Sequence, residues 1–559
     1  MLTEPESGGP GSTTNSVVLW AAIGASITRV TTQRRTLWVS GLEELAELRE
    51  PIDGIVLEEV ADAYLFALDE GPFSHYERRL LISPSARGEI EGWEVEETTT
   101  WKLGIPVFWV LYWVPVWLHI RGGQKNPSPW WAPAGRFDSR AARVIGLLGM
   151  IAIINGFLGS VIGQTLTFAA DEFCNEFALN EDGISVCVDE EHDRSARANV
   201  FTVVRIGILL SLLLAIVGDR VGRKRALTVA VTVSCIAGAL GAISPSFDFL
   251  AATQTVSRGL ATGVAILIGV IATEELPTKS RAYGLGMLIL LAGFGSGIVV
   301  WILPAADLAV WGWRIVYAVA GIFIPLALWA SRQLPTTRRF EVLERQPLRE
   351  SLTELWTNDR MRNRLFLLGA AALLSTLFST PASQFDNQFL RDELGFTATR
   401  ITFFTLVTST PIGLGVIGGG IIADRIGRRP IGAFGTAIGV VLTVLSFFSN
   451  EVVIFPVRAF GVILGAGFAV AGLAVYGPEL FPTKLRSTAN GLITACAVAG
   501  SVIGLQLVGR LAERFDAFGP ALAVAGIGPV IVVILVITKY PETANRTLED
   551  INDEPELSD

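Results

Sequence analysis

From residue 143 onward the chain is a succession of apolar runs separated by short charged segments. Twelve of these runs, from 144–170 to 516–538, are long enough for a spanning helix, which needs about 20 residues at 1.5 Å rise. The pattern before residue 143 is different. Residues 41–70 show apolar positions at helical spacing, interrupted by Pro51 and Gly54, within a segment that reads as a soluble or poorly ordered appendage. The stretch 103–120 carries Trp109, Trp113 and Trp117 at i, i+4, i+8, one stripe of a helix expected to lie at the headgroup level. A thirteenth span is the alternative there. The expected divisions are an acidic extension (1–100), an aromatic interfacial segment with a basic linker (101–142), a six-helix bundle (143–332), a central loop (333–363), a second six-helix bundle (364–540) and an acidic tail (541–559). The fold class is an all-α membrane protein of twelve transmembrane helices in two pseudo-symmetric bundles, with an N-terminal extension.

The pseudo-symmetry rests on a repeat. GDRVGRKR at 218–225 is followed by ELPTKSR at 275–281, and ADRIGRRP at 423–430 by LFPTKLR at 480–486. Asp219 and Asp424 lie 205 positions apart, as do Glu274 and Glu479, Pro277 and Pro482, and Arg281 and Arg486. One register held across two motifs marks a duplicated helical unit, the sign of a transporter built from two halves.

Charge then orients the bundle. The loop 332–364 carries eight Arg, whereas 171–198 holds nine acids. The positive-inside rule puts the basic set, the start of the bundle and the C-terminus in the cytoplasm of a multi-pass cell-membrane protein. Composition agrees: mean hydropathy is +0.50 and charged residues are 17%, below the roughly 25% of soluble domains. The net charge of −9 comes from residues 1–99, with 18 acids against 7 bases, which argues against nucleic-acid binding. With three His and four Cys, no zinc or catalytic constellation emerges, so neither metal, cofactor nor enzyme activity is expected. Cys174 and Cys187 share the acidic outer loop, where a disulfide is permitted and two free thiols are the alternative.

The doubled D-R-x-G-R-[RK] box resembles that of the major facilitator superfamily, over about 143–551. Other stretches are similar to its sugar-porter and metabolite–proton symporter branches: INGFLGSVIGQTLTFAADEF at 154–173, SRGLATG at 257–263, WGWR at 311–314, ELFPTKLR at 479–486 and PETANRTLEDI at 541–551. The resemblance implies a state-dependent charge network closing the cytoplasmic side. It falls on Asp219, Arg220, Gly222, Arg223, Glu274 and Arg281 in one half, and on Asp424, Arg425, Gly427, Arg428, Glu479 and Arg486 in the other. The glycines permit a tight turn between two helices. Departures are informative: Leu158 stands where sugar porters place a protonatable Asp, the fifth helix has no Gln, and the tenth lacks Gly-Pro-x-x-Trp.

Polar groups inside spanning helices are costly, so each is a functional candidate. Arg205 and Arg258 fall in the outer halves of the second and fourth helices, with Gln254 on the face of Arg258. A guanidinium there suits an anionic group. Asn155, Gln164, Gln384, Asn387 and Gln506 are further substrate contacts, each with an interhelical hydrogen bond as its alternative. With Leu158 unable to titrate, Asp386 becomes the expected proton carrier and Asp171 the runner-up, while Arg458 is expected to anchor at the interface. The resulting expectation is a monomeric secondary transporter embedded in lipid that couples a small organic solute, a sugar or an organic anion, to protons by symport. An efflux pump for hydrophobic compounds is one alternative. A transporter-derived sensor or scaffold acting through the extension is the other.

Overall fold

The computed structural model describes residues 30–87, 90–122, 129, 132, 136–173, 177–179, 185–187, 194–211, 214, 222–277, 280–335, 348–473, 476, 480–482 and 485–543. These residues form two compact units. One takes in the described residues of 1–150, 269–290 and 333–338; the other takes in those of 151–268, 291–332 and 339–559.

In the first unit the extension is a β domain. Strands β1 (Thr31–Val39), β2 (Leu57–Asp62), β3 (Leu65–Glu70), β4 (Phe73–Arg87) and β5 (Ile90–Leu103) form an antiparallel sheet in the order β1-β5-β4-β3-β2. The helical spacing expected across 41–70 holds only for α1 (Leu42–Leu48). All-α therefore fits the bundle and not the extension, whose last strand runs to Leu103, beyond the expected boundary at 100. The alternation on β5 places Val95, Thr99 and Trp101 on one buried face, with Trp93 half-buried at its edge, as period-two patterning requires. Opposite them in the ladder stand Val39 and Leu37 on β1 and Tyr76 and Ile82 on β4.

One end of this face packs under α2 (Trp109–Arg121). Trp113 stacks on Trp117, lies 6.3 Å from the Trp101 ring, and donates its Nε1–H to Thr31 Oγ1. The tryptophan stripe thus covers one end of the sheet. A thirteenth span is excluded, because 13 residues reach only about 20 Å of the roughly 30 Å hydrocarbon core. The unit also holds the first turns of a long helix: Pro106 sits against Gly146, the Tyr112 hydroxyl contacts Met287 Sδ at 3.1 Å, and Arg140 pairs with Glu275.

In the middle of the buried face sits an ion pair. Arg78 is 1% and Glu58 4% exposed. Arg78 donates to both Glu58 oxygens and to the carbonyls of Leu48 and Glu50; Tyr76 Oη and the Ile52 amide complete the carboxylate. The pair therefore ties the 48–52 loop to the sheet.

The helical part begins with α3 (Ser139–Glu172), α4 (Arg194–Ile206), α5 (Arg223–Leu240), α6 (Phe247–Glu275), α7 (Arg281–Ile302) and α8 (Trp313–Gln333). After α9 (Leu348–Thr357) come α10 (Asp359–Gln384), α11 (Asp386–Asp392), α12 (Ala398–Ser409), α13 (Ile412–Ile426) and α14 (Arg428–Ser446). Then follow α15 (Ile454–Phe460), a π-helical turn (Gly461–Gly467), α16 (Phe468–Leu473), α17 (Arg486–Phe515), α18 (Phe518–Ala525) and α19 (Ile527–Lys539). Among the described residues, nine helices are long and apolar enough to cross a membrane. The expected second, eighth and tenth spans fall on the interrupted elements: α4, α12–α13 and α15–α16. The seventh begins at Asp359 rather than 364 or later, and breaks at Phe385.

The internal duplication reaches into the packing. A Cβ on Gly295 of α7 would run into the Ile153 carbonyl of α3. A Cβ on Gly500 of α17, 205 positions later, would run into the Leu373 carbonyl of α10. Backbone approach this close requires glycine. Both boxes turn at glycine too, with φ +100° at Gly222 and +122° at Gly427, values that L side chains avoid.

Removing one partner of a buried pair costs about 3–5 kcal/mol, and replacing both with apolar residues costs far less. Glu58→Ala should therefore strongly accelerate hydrogen exchange of β4 amides in the full chain, and the double variant Glu58→Leu/Arg78→Met should recover most of the protection. Equal loss in both would contradict a structural role for the pair.

Candidate functional site

The second unit holds a cavity of about 380 Å³ lined by both halves of the repeat. Helix periodicity selects its walls. From the first half come Asn155 and Gly159 of α3, Arg205 of α4, and Arg258 and Thr262 of α6. From the second come Thr376 and Thr380 of α10 and Thr494 and Ser501 of α17. Each set repeats at i, i+4 or i, i+7, one stripe per helix. Gly159 leaves open space where a side chain would project.

The lining is cationic. Arg205 and Arg258 both face the cavity, and Arg205 Nε is buried without a hydrogen-bond partner. Among the described residues the lining contains no carboxylate and no imidazole. The hydroxyls of Thr262, Thr494 and Ser501 donate to backbone carbonyls of their own helices, and Thr376 Oγ1 lies within hydrogen-bond distance of the Ala372 carbonyl of its own helix and the Ala497 carbonyl of α17.

The other expected contacts lie elsewhere. Asn387 Nδ2 donates to both the carbonyl and the side-chain oxygen of Gln164. Gln506 Nε2 donates to Asn199 and Thr202. These three make interhelical bonds and do not line the cavity. Gln384 packs its amide on Gly163, one turn along α10 from Thr380, and its Oε1 is buried without a partner. Gln254 is 1% exposed, with Nε2 unpartnered and beside Gly241.

The two acids expected to carry protons are both ion-paired outside the cavity. Asp386 Oδ1 accepts from Arg458 Nη2 at 2.6 Å. Arg458 is accordingly not an interfacial anchor; it is 12% exposed at its side chain and lies over the Phe404 and Phe447 rings. Asp171 Oδ2 accepts from Arg391 Nη2 at 2.5 Å, and Arg197 Nη1 bonds Asp392 Oδ2 at 3.0 Å. These two pairs cross between the halves of the repeat. The same end carries Asn387–Gln164, Thr402 Oγ1 on the Val300 carbonyl, and Asp307 capping the N-terminus of α12 through the Ala398 and Thr399 amides. All lie a full helix length from Gly222 and Gly427, so the two halves are joined by these contacts at the end remote from the boxes. Arg314 with Glu172 ties α8 to α3 at that end.

Of the gating set, Gly222 and Gly427 form the turns described above. Arg425 is exposed, while Arg223 and Glu274 are half-buried. At the second box the Glu542 carboxylate accepts from the Arg428 and Arg429 amides, and Arg428 Nη1 bonds Thr543 Oγ1. An acid at a helix N-terminus satisfies amides that have no intrahelical partner. Asp219, Arg220 and Glu479 lie outside the described residues, as do the side chains of Arg281, Asp424 and Arg486. Cys174 also lies outside them, and Cys187 is described only in its backbone.

Sequence reasoning missed Thr376, Thr380, Thr494 and Ser501, although their i, i+4 and i, i+7 spacing in otherwise apolar helices was a usable signal. It also missed Arg391 as the partner of Asp171, a pairing across 220 positions that no local pattern encodes.

Comparison with known proteins gives a consistent result. The profile described as Major Facilitator Superfamily matches residues 150–386, and that described as Sugar (and other) transporter matches 341–554. The cis,cis-muconate transport protein of Acinetobacter baylyi is 28% identical over 343 residues, 56% of this chain and 79% of the relative. The alpha-ketoglutarate permease of Escherichia coli is 25% identical over 316 residues, 52% of this chain and 70% of the relative. Among solved structures, the inward-open xylose transporter XylE from E. coli aligns with a TM-score of 0.57 at 17% identity, covering 73% of this chain and 98% of that one. The nucleoside transporter NupG aligns at 0.53 and 13%, covering 71% and 100%.

If the crossed pairs hold the remote end shut, Arg391→Gln should loosen it. A cysteine in place of Thr380 should then react roughly 1.5- to 5-fold faster with an impermeant maleimide added from that side, the range expected for partly exposed pairs. An unchanged rate would remove the pairs from the seal.

Proposed function

This chain belongs to the major facilitator superfamily and is a multi-pass membrane transporter of sugars or metabolites rather than an enzyme; from that premise we propose that its substrate is a small organic anion, carried by alternating access. The observation that carries the reading is the pair of arginines on one cavity wall, Arg205 with its Nε buried and unpartnered and Arg258 beside it, with no carboxylate among the described lining residues. A buried charge without a counter-charge is costly, and a carboxylate satisfies a guanidinium through two parallel hydrogen bonds. Asn155 and the Thr380 hydroxyl add polar groups opposite hydrocarbon. A cavity of about 380 Å³ sits at the small end of ligand sites. Two relatives named above are named for carboxylates, which supports an anion over a sugar. The same polarity disfavours an efflux pump for hydrophobic compounds.

In this reading the halves rock about the cavity. The remote seal opens to the outside, and the boxes close the cytoplasmic side, where basic loops favour their placement. The cavity is complete within one chain, which suits a monomer. The expected proton carriers take no part in the cavity: Asp171 is held by Arg391 across the halves and Asp386 by Arg458.

A thermal-shift titration of the purified chain tests the substrate class. A ligand at 100 times its Kd stabilises by about 2.7 kcal/mol. Muconate or α-ketoglutarate should raise the melting midpoint and xylose should not. Arg258→Gln should abolish the shift, and Arg258→Lys should retain part of it. Stabilisation by xylose but by no anion would overturn the reading.

A further inference from the structure

The charge of the cavity also bears on how the empty carrier returns. Alternating access requires an occluded stage in which both ends are shut and the cavity is cut off from bulk water. For this chain that stage contains two guanidiniums and, among the described residues, no acidic or imidazole group in the lining. The acids on the neighbouring helices are committed elsewhere: Asp171 to Arg391, Asp386 to Arg458, and Glu172 to Arg314. The serine and threonine hydroxyls of the lining supply dipoles and no counter-charge. Nor does a proton help, since arginine keeps its charge at any physiological pH. The empty cavity therefore has no internal means of becoming neutral.

Occluding an uncompensated pair of like charges in a low-dielectric interior is strongly unfavourable, whereas occluding the same pair with two carboxylates is not. The difference falls on one step of the cycle, the return of the unloaded carrier. We propose that this protein is an obligate exchanger of organic dianions, whose cavity changes sides only when a dianion neutralises Arg205 and Arg258. The proposal rests on the anion reading above and adds to it the charge of the substrate and the mode of transport. It also separates this chain from a proton symporter, which must return empty after releasing its load. Here a dicarboxylate enters on one side and another leaves on the next half-cycle, with no net charge moved.

The experiment uses the full chain in proteoliposomes loaded with radiolabelled α-ketoglutarate, with the membrane potential clamped by potassium and valinomycin. Efflux is followed into anion-free buffer and into buffer containing unlabelled α-ketoglutarate. The expected result is efflux at least roughly tenfold faster with external dicarboxylate, reflecting the cost of occluding unpaired charge. A monocarboxylate such as benzoate should stimulate far less. Arg205→Gln, which removes one of the two charges, should narrow the ratio by raising efflux into anion-free buffer, provided that the variant elutes as the parent does on size exclusion.

Equal efflux into both buffers would overturn exchange. So would sustained uptake into unloaded vesicles driven by an inward proton gradient, which would establish symport instead. Both results leave the anion reading intact, because α-ketoglutarate still binds and moves. If α-ketoglutarate neither stabilises the protein nor crosses the membrane while a sugar does, the anion reading falls and exchange with it.

Discussion

Two like charges share one cavity without a counter-charge, and the rest of the structure is arranged around that constraint. Arg205 and Arg258 come from different helices of the same half, so the pair is fixed by helix packing rather than by one flexible loop. The opposite wall, from α10 and α17, offers hydroxyls and small apolar groups. A site of this kind is unsatisfied without a ligand. A charge held between helices without a counter-charge is costly.

The remaining ionic groups have a different task. Asp171, Arg197, Arg391 and Asp392 form crossed pairs between the halves, and Asp386–Arg458 fixes α11 to α15 within one half. These pairs are local, matched and close to one end of the bundle. At the other end the boxes turn on positive-φ glycines, and Glu542 caps the helix that follows the second box. Charge among the described residues of the bundle is therefore sorted: paired at the end remote from the boxes, and without a counter-charge in the cavity. The β domain follows the opposite logic, with one matched pair, Arg78–Glu58, serving its own core.

Much of the bundle was legible because its signals are local. The 205-residue register of the boxes marked the duplication, and the same register relates Gly295 and Gly500 at equivalent helix contacts. Arg205 and Arg258 stood out because a charge inside an apolar run has few harmless explanations. What escaped was pairing at a distance. Asp386 and Arg458 lie 72 positions apart, and each had several conceivable partners in sequence. The Trp113 and Trp117 stripe was read correctly as a helix face, but the sheet it covers was not foreseen, since hydrophobic spacing does not distinguish lipid from a sheet. The sheet itself was missed because the period-two alternation of Trp93, Val95, Thr99 and Trp101 was outweighed by helical spacing upstream, of which only Leu42–Leu48 is helical.

A cryo-electron-microscopy structure of the full chain with a bound dicarboxylate tests the central claim most directly. The account places the ligand's carboxylate oxygens about 2.7–2.9 Å from guanidinium nitrogens of Arg205 and Arg258, the spacing of charge-assisted bonds. A ligand bound away from both arginines, or a protein carboxylate folded into the cavity to neutralise them, would contradict it.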